Sequence, residues 1–217
     1  MQALPDDVRP VHIEPNGIEG LLGMCHMPRG LIVFAHGSGS GRFSPRNNYV
    51  AAGLRREGFA TLLPDLLQPG EEEIRSKVFD IPMLASRLLE VMQWAQRQPE
   101  TKHLPVAFFG ASTGAGAALV AAANADIDIA AVVSRGGRPD LAGDALTHVR
   151  CPTLLIVGSL DAPVIALNRQ ALLQLPVRKD LAIVPGASHL FEEAGTLDEV
   201  LRLAAAWFAE VFPDKTA

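Results

Sequence analysis

A serine flanked by closely spaced glycines is the residue of this sequence best suited to nucleophilic chemistry. Ser112 lies in Gly110-Ala111-Ser112-Thr113-Gly114, between the apolar run Val106–Phe109 and an alanine-rich segment that reaches about Ala123. A strand, a sharp turn and a helix in this order would expose the serine hydroxyl to a base, and small neighbours would let the turn pack closely. The alternative is that Ser112 only caps the helix. The pattern favours a nucleophile at Ser112.

An aspartate and a histidine could activate that serine. Asp161 follows the apolar run Thr153–Val157, and His189 follows the run Leu181–Val184. A histidine can accept the serine proton, while a carboxylate can fix the tautomer of the histidine and stabilise its charged form. Asp161 could instead be a helix N-cap, and a lone loop histidine is more often only solvated. Since all three residues follow predicted strands, in the order serine, aspartate, histidine, we predict a catalytic triad.

Backbone N–H groups beside the serine could stabilise a negatively charged oxygen in the transition state. The residue after a nucleophile donates one such hydrogen bond, and a loop after an earlier strand donates another. Thr113 fits the first position, and Ser38, in His36-Gly37-Ser38-Gly39, fits the second. A phosphate-binding loop is the alternative for this glycine-rich segment, but the segment lacks the G-x-x-x-x-G-K-[ST] pattern and its lysine. We therefore predict an oxyanion hole formed by Ser38 and Thr113.

Four arginines near the same strand ends could hold an anionic part of a substrate. Arg42 and Arg46 follow the predicted oxyanion loop, and Arg135 and Arg138 follow the apolar run Ile129–Val133. A guanidinium binds a carboxylate or phosphate through two parallel hydrogen bonds, although a solvated or structurally paired arginine is equally compatible with the sequence. We predict that these arginines bind substrate.

The sequence predicts no cofactor and no metal site. The two cysteines, Cys25 and Cys151, are far apart and form neither a CxxC motif nor a Cys/His metal-binding spacing, so they are expected to fill small spaces in the core. The acidic run Glu71-Glu72-Glu73, in the loop Gln68–Phe79, is expected to form a solvated and mobile surface segment.

The segments that would position these residues alternate between strand-like and helix-like patterns. Two strands, Val11–Glu14 and Ile18–Met27, flank Asn16-Gly17, a dipeptide typical of antiparallel hairpins. Continuous apolar runs then alternate with helical segments, as expected for a mostly parallel sheet with helices on both faces. The further predicted strands are Leu31–Ala35, Phe59–Leu63, Val106–Phe109, Ile129–Val133, Thr153–Val157 and Leu181–Val184, and helices are predicted over Asn48–Arg56, after Asp80, after Ser112, over about Val164–Leu175 and before Pro213. The expectation is a single α/β domain over residues 1–217.

The motifs around Ser38, Ser112, Asp161 and His189 together resemble the α/β-hydrolase fold. In particular, the sequence is similar to the dienelactone-hydrolase-like group, including the bacterial domains fused to phosphoribosyltransferases, over about Gly20–Phe212. The resemblance implies an α/β-hydrolase domain with this triad, and the fused domains imply a metabolic partner, although no transferase signature is present in this chain. Dienelactone hydrolases proper use a cysteine nucleophile, whereas this sequence has a serine in the corresponding turn.

The expected function is that of a metal-independent serine hydrolase that cleaves a small ester, thioester or lactone through an acyl-enzyme. Only the short connections Gln68–Phe79 and Gly136–Leu146 are available to cover the site, so no large lid and an open pocket are expected. An amidase or aminopeptidase would use the same machinery, and the fold could also serve only to bind a ligand or a partner. A dinucleotide-dependent dehydrogenase could use the same glycine-rich turn, but the only tyrosine, Tyr49, lacks a lysine four residues later.

Composition limits the classes of partner. The chain has 19 basic and 24 acidic residues and a formal net charge of −5, so no global positive charge favours nucleic acid or an anionic membrane. No apolar run is long enough to predict a transmembrane helix, and the first residues show no signal-peptide pattern. We expect a cytoplasmic protein that binds a small ester-like molecule.

Overall fold

Strands and helices alternate along most of the chain. The computed structural model describes residues 5, 7–124 and 126–212. The strands are β1 (Val8–Ile13), β2 (Ile18–Gly23), β3 (Leu31–Ala35), β4 (Ala60–Pro64), β5 (Val106–Ala111), β6 (Val132–Arg135), β7 (Thr153–Gly158) and β8 (Lys179–Val184). The α-helices are α1 (Pro45–Arg56), α2 (Arg75–Val78), α3 (Ile81–Ala95), α4 (Thr113–Ala122), α5 (Ala162–Gln174) and α6 (Thr196–Val211), and two 3-10 segments cover Glu71–Glu73 and Pro139–His148. Within the described residues, every helix is too short or too polar to cross a membrane.

All eight of these strands form one sheet, in the order β1-β2-β4-β3-β5-β6-β7-β8. β1 pairs antiparallel with β2 and β2 with β4, while the other neighbours are parallel. This arrangement confirms the predicted mostly parallel sheet with an opening hairpin. β4 lies on one side of β3 and β5 lies on the other, so the direction in which strands are added to the sheet reverses between β3 and β5. The loops that follow β3 and β5 therefore lie on either side of this topological switch point. Ligands bind at such points in open α/β sheets.

Two apolar cores, one on each face of the sheet, explain the continuous apolar runs. Successive strand residues point to opposite faces. In β5, for example, Phe108 belongs to the core beneath α3 and α4, whereas Phe109 belongs to the core beneath α1 and α6. Both side chains are fully buried. A strand covered on both faces needs apolar residues at every position, and this requirement produced the runs seen in the sequence.

The hairpin strands have different limits from those predicted. β1 covers Val8–Ile13 rather than Val11–Glu14, because pairing with β2 begins at Val8, opposite Gly23. β2 ends at Gly23 rather than at Met27, where its pairing with Thr61 of β4 also ends. Cross-strand pairing, which a local pattern does not contain, therefore sets both limits.

Strand β6 lies further along the chain than the sequence predicts. It covers Val132–Arg135 instead of Ile129–Val133, because its ladder with β5 pairs Val132 with Phe108 and Arg135 with Ala111. Arg135 is therefore the last residue of a buried strand and not part of the loop that follows. This shift determines the surroundings of its side chain.

Local capping and short helices change three other predictions. Helix α1 begins at Pro45 rather than near Asn48, because the Ser44 hydroxyl accepts a hydrogen bond from the Asn47 N–H at 3.4 Å. The connection Gln68–Phe79 contains a 3-10 turn and α2, and much of Gly136–Leu146 is 3-10 helix. The two connections are therefore folded segments.

The prediction of a solvated segment at Glu71–Glu73 is wrong for Glu71. Its side chain is buried and accepts hydrogen bonds from the Arg87 guanidinium, from Lys77 Nζ at 2.7 Å and from the Gln68 N–H at 2.9 Å. The hydrogen bond with Arg87 is the main reason that the pKa of Glu71 is lowered to about 2. Glu71 thus attaches this connection to α3, while its two acidic neighbours are exposed.

Candidate active site

The turn after β5 holds Ser112 in a conformation that residues other than glycine rarely adopt. Its φ is 50° and its ψ is −121°. Glycines on either side let the turn approach its neighbours: a Cβ at Gly110 would lie 2.4 Å from Ala115 Cα, and one at Gly114 would lie 2.1 Å from the Ala35 carbonyl oxygen. The G-x-S-x-G motif therefore meets a packing requirement of this turn, which presents Ser112 at the carboxyl end of β5.

Ser112, His189 and Asp161 lie within reach of one another in a single chain of contacts. Ser112 Oγ is 3.4 Å from His189 Nε2, and His189 Nδ1 is 2.7 Å from Asp161 Oδ2. The Asp161 side chain is only 13% exposed, whereas that of His189 is 39% exposed. With a charged carboxylate as acceptor, Nδ1 carries the proton and Nε2 is left to accept one from the serine hydroxyl. The arrangement can deprotonate Ser112.

Neither Ser112 nor Asp161 uses its side chain as a helix cap. They occupy the N-cap positions of α4 and α5, yet neither makes a side-chain capping hydrogen bond. By contrast, Ser44 and Asp80 do cap α1 and α3 with their side chains. The helix-cap interpretation of Ser112 and Asp161 is therefore excluded, and both side chains face His189 instead.

The two residues predicted to form the oxyanion hole contact each other across the switch point. The Ser38 N–H donates a hydrogen bond to Thr113 Oγ1 at 3.0 Å. Thr113 is the first residue of α4, and the first N–H groups of a helix have no partner within the helix. A negatively charged oxygen at Ser112 would meet the Thr113 N–H directly and would have to replace the Thr113 hydroxyl at Ser38.

His36 supports the loop that carries Ser38, a role that the sequence interpretation did not assign. Its Nε2 accepts a hydrogen bond from the Leu66 N–H at 2.9 Å, and its Nδ1 lies 3.0 Å from the Gly37 carbonyl oxygen. Burial lowers the pKa of His36, which favours the neutral ring that this pairing requires. The position of His36 directly after a buried strand was the available signal.

Asn168 is a second residue that the sequence interpretation missed. It is fully buried in α5, and its Nδ2 donates to the carbonyl oxygens of Gly137 and Val164 at 3.0 and 2.8 Å. It thereby anchors the segment after β6, where a Cβ at Gly136 would lie 3.0 Å from the His189 carbonyl oxygen. Arg169 and Gln170 follow it directly, so the local sequence did not distinguish Asn168 from other polar residues of the helix.

Two of the four predicted arginines are held by neighbouring carboxylates. Asp65 accepts hydrogen bonds from both the backbone N–H and the guanidinium of Arg42. Arg138 binds Asp140 through Nε at 2.8 Å and Nη2 at 2.7 Å. These pairs give Arg42 and Arg138 structural partners within the chain.

The other two arginines differ from these. Arg46 Nη1 donates to Glu192 at 3.0 Å, but the Glu192 side chain is 63% exposed. Arg135 is 8% exposed, and its buried Nη1 has no hydrogen-bond partner among the residues that the structure describes. Burial, and to a smaller extent the nearby charge of Arg46, lower the pKa of Arg135 to about 10.

An open cavity of about 700 Å³ adjoins the oxyanion loop. It is lined by His36 and by residues 38–46, which include Ser38, Arg42 and Arg46, but not by Ser112 itself. The rest of its lining comes from the turn at residues 17–19 and from Asp65, Leu67, Gln68, Pro69 and Glu72. No group of three or more His, Cys, Asp or Glu side chains within the described residues is arranged to hold a metal ion.

Comparison with known proteins identifies the family. The model of the dienelactone hydrolase family matches residues 18–209, most of the chain. The chain belongs to the dienelactone hydrolase family. This result confirms the resemblance to the dienelactone-hydrolase-like group that was inferred from the motifs.

Solved structures agree with this family assignment. A dienelactone hydrolase from Anabaena variabilis is 52% identical, with a TM-score of 0.89, over 94% of this chain and 98% of that chain. An alpha-beta serine hydrolase homologue from Coxiella burnetii, 17% identical, has a TM-score of 0.77 over 96% of this chain and 100% of that one. The second similarity concerns the fold alone.

A curated relative of this dienelactone hydrolase family member is much longer. The Mycobacterium tuberculosis protein named "Putative phosphoribosyl transferase Rv0571c" is 56% identical over 95% of this chain and 47% of its own length. The chain thus spans about half the length of the curated relatives it matches. The relationship agrees with the expected similarity to domains fused to phosphoribosyltransferases.

Proposed function

We propose that the protein is a serine hydrolase that cleaves a small ester, thioester or lactone by way of an acyl-enzyme on Ser112. One observation supports this proposal above the others. The side chains of Ser112 and Asp161 make no capping hydrogen bond to the helices that follow them, and each instead lies beside one of the two ring nitrogens of His189. Such a pairing has a use in catalysis and none in helix capping.

The first half-reaction would form the acyl-enzyme. Ser112 Oγ attacks the acyl carbon while His189 Nε2 takes the hydroxyl proton, and Asp161 stabilises the resulting imidazolium. The present separation of 3.4 Å between Oγ and Nε2 is long, as is common without substrate. The N–H groups of Ser38 and Thr113 hold the oxyanion, and His189 then gives its proton to the departing alcohol or thiol.

The second half-reaction would regenerate the serine. A water molecule gives a proton to His189 Nε2 as its oxygen attacks the acyl carbon. The tetrahedral intermediate then collapses, the bond to Ser112 Oγ breaks, and His189 returns the proton to that oxygen. The products are the carboxylic acid and the free enzyme, and the same oxyanion hole serves both half-reactions.

A fluorophosphonate probe tests the nucleophile, because it phosphonylates an activated serine. We expect stoichiometric labelling of the wild type and none of Ser112→Ala, measured by intact-protein mass spectrometry. Ser76→Ala, which changes an exposed serine of α2, is the matched control and should label as the wild type does. Absence of labelling in folded wild type, or equal labelling of Ser112→Ala, would contradict the proposal.

A further inference from the structure

The segment that carries His189 begins against the end of β7. The Gly186 N–H donates a hydrogen bond to Ser159 Oγ at 2.8 Å, and the Leu160 N–H donates one to the Ala187 carbonyl oxygen at 3.0 Å. Both contacts lie before the histidine along the chain. A base must be held to a fraction of an ångström, so the placement of its ring also depends on the residues that follow it.

The chain reverses direction in a strained turn directly after His189. The Phe191 N–H donates a hydrogen bond to the Ser188 carbonyl oxygen at 3.3 Å, and Phe191 has a φ of 56°. Its side chain is buried in the core beneath α1 and α6. A bulky residue rarely adopts a positive φ, and such strain persists only where the surrounding structure enforces it, most often at active sites. The turn would relax unless other contacts kept it closed.

Glu193 supplies such a contact across the turn. Its Oε2 accepts a hydrogen bond from the Ser188 N–H at 3.0 Å. Hydrogen bonds from the backbone N–H of Ser188 first, and from its hydroxyl second, hold the pKa of Glu193 below its usual value. The carboxylate is therefore charged at neutral pH, and a charged acceptor makes the hydrogen bond stronger than a neutral one would.

The backbone of Glu193 is fixed as well. Its carbonyl oxygen accepts hydrogen bonds from the Thr196 N–H at 3.1 Å and from the Thr196 hydroxyl at 2.7 Å. Thr196 is the first residue of α6 and is buried. Glu193 thus connects the residue before His189 to a helix of the core. Because the Glu193 side chain is itself exposed, it adds little to core packing, and its main effect is on the turn that it closes.

We propose that Glu193 is a positioning residue for His189. By holding the Ser188 N–H, its carboxylate keeps the strained turn closed and the imidazole in line between Asp161 and Ser112. The His189 side chain is 39% exposed, so packing alone does not fix the ring. The effect of Glu193 on turnover rests on the proposed hydrolase function, whereas its effect on the position of the ring does not.

Kinetics of two variants at this position test the proposal. Glu193→Ala should lower kcat about 3-fold to 10-fold, the effect of one lost hydrogen bond, and leave KM within about 2-fold, because the base acts in the chemical steps. Glu193→Gln keeps a side-chain oxygen of the same reach and should retain kcat within about 2-fold of the wild type. Equal losses in the two variants, or an unchanged kcat in Glu193→Ala, would overturn the proposal.

Glu199→Ala is the matched control. It removes another carboxylate from the start of α6, one that binds the Arg202 guanidinium at 2.6 and 2.7 Å instead of the turn. Its kcat should equal that of the wild type. If Glu193→Ala does not fold, Glu193→Asp takes its place with the same expected loss, because the shorter side chain draws the carboxylate back from the Ser188 N–H. A wild-type kcat in that variant would also overturn the proposal.

The proton on His189 Nδ1 reports the position of the ring without turnover. In its hydrogen bond to a carboxylate it gives a separate, far-downfield proton resonance, which His189→Ala would remove. We expect a sharp resonance in the wild type and in Glu193→Gln, and in Glu193→Ala a broadened one whose proton exchanges with solvent about 10-fold faster. The same line width and exchange rate in Glu193→Ala would contradict the proposal. A resonance that responds to Glu193 in a protein that cleaves no ester would count against the hydrolase proposal alone.

Discussion

The backbone of Ser112 has a φ of 50°, a conformation that costs about 1–3 kcal/mol for residues other than glycine. Its hydroxyl also forgoes a cap on α4, as the Asp161 carboxylate does on α5, and such a cap contributes about 1 kcal/mol. At the scale of single residues, the conformations of Ser112 and Asp161 are therefore locally less stable than a capped helix start, but they place both side chains next to His189. This is the pattern expected where a fold carries a reactive group.

Removal of the His189 ring should abolish most turnover while leaving the fold intact. On any ester that the wild type cleaves, we expect His189→Ala to lower kcat by about 10⁴-fold, because the serine then lacks a base. Steady-state kinetics, with circular dichroism to verify folding, provide the measurement. His103→Ala, which removes an exposed histidine, is the control and should retain wild-type kcat. A His189→Ala enzyme with kcat within 10-fold of wild type would show that the base lies elsewhere.

The sequence predicted which residues could react better than it predicted which charges are paired. Asp161 and His189 could be selected because each is a reactive type directly after an apolar run. The partner of Arg42 is Asp65, 23 residues away, and only the folded chain brings the two together. The partner of Arg138 is only two residues away, so that pairing was open to prediction. Sequence could not identify that Arg135 Nη1 has no hydrogen-bond partner among the described residues, since its surroundings depend on the register of β6.

At the scale of elements, the sheet order explains why distant motifs meet. β3 and β5 are neighbours, so the loop with Ser38 lies against the turn with Ser112, and β7 and β8 bring Asp161 next to His189. Apolar runs predicted β3, β5 and β7 because these strands are buried on both faces, whereas β8 is a partly exposed edge strand. The hairpin limits and the folded connection at residues 68–79 escaped prediction because cross-strand pairs and distant ion pairs determine them.

The ion pair between Glu71 and Arg87 should stabilise the fold at neutral pH. Glu71→Gln leaves a largely buried Arg87 without its charged partner, so we expect the free energy of unfolding at pH 7 to fall by about 2–3 kcal/mol. Urea unfolding monitored by circular dichroism measures the change. Glu72→Gln, which removes an exposed charge from the same turn, is the control and should change stability by less than about 0.5 kcal/mol.

The same pair predicts the pH at which this stability is lost. The pKa of Glu71 is about 2 in the folded protein against an ordinary value of 4.5, so its carboxylate stabilises the fold fully above about pH 4.5. That contribution decreases as the pH falls from 4.5 towards 2. The difference between wild type and Glu71→Gln should therefore shrink across this range, and a difference that stays constant down to pH 2.5 would contradict this role for Glu71.

At the scale of the whole molecule, the described chain leaves little material to cover the site. The connections after β4 and β6 are short, and they are fixed by Glu71 and Asn168 rather than forming a separate lid domain. The cavity at the oxyanion loop consequently opens to solvent. A substrate can reach it without a preceding rearrangement of the fold.

An open site should act on dissolved molecules without activation by a lipid surface. With tributyrin, we expect the rate to rise smoothly to the solubility limit and to show no jump when an emulsion forms, because no lid needs to move. Titration of the released acid on both sides of that limit provides the measurement. Glycerol monobutyrate, which stays dissolved throughout, is the control. A sharp increase at the onset of the emulsion would indicate a covering segment that moves.

The hydrogen bond from the Ser38 N–H to the Thr113 hydroxyl affects how the proposed reaction distributes its binding energy. A substrate carbonyl that displaces this hydroxyl exchanges one neutral acceptor for another, so the donor gains little when the ester first binds. When the oxygen becomes negatively charged, the same hydrogen bond becomes roughly twice as strong. The Ser38 donor would then distinguish the tetrahedral intermediate from the intact ester and contribute to turnover rather than to affinity.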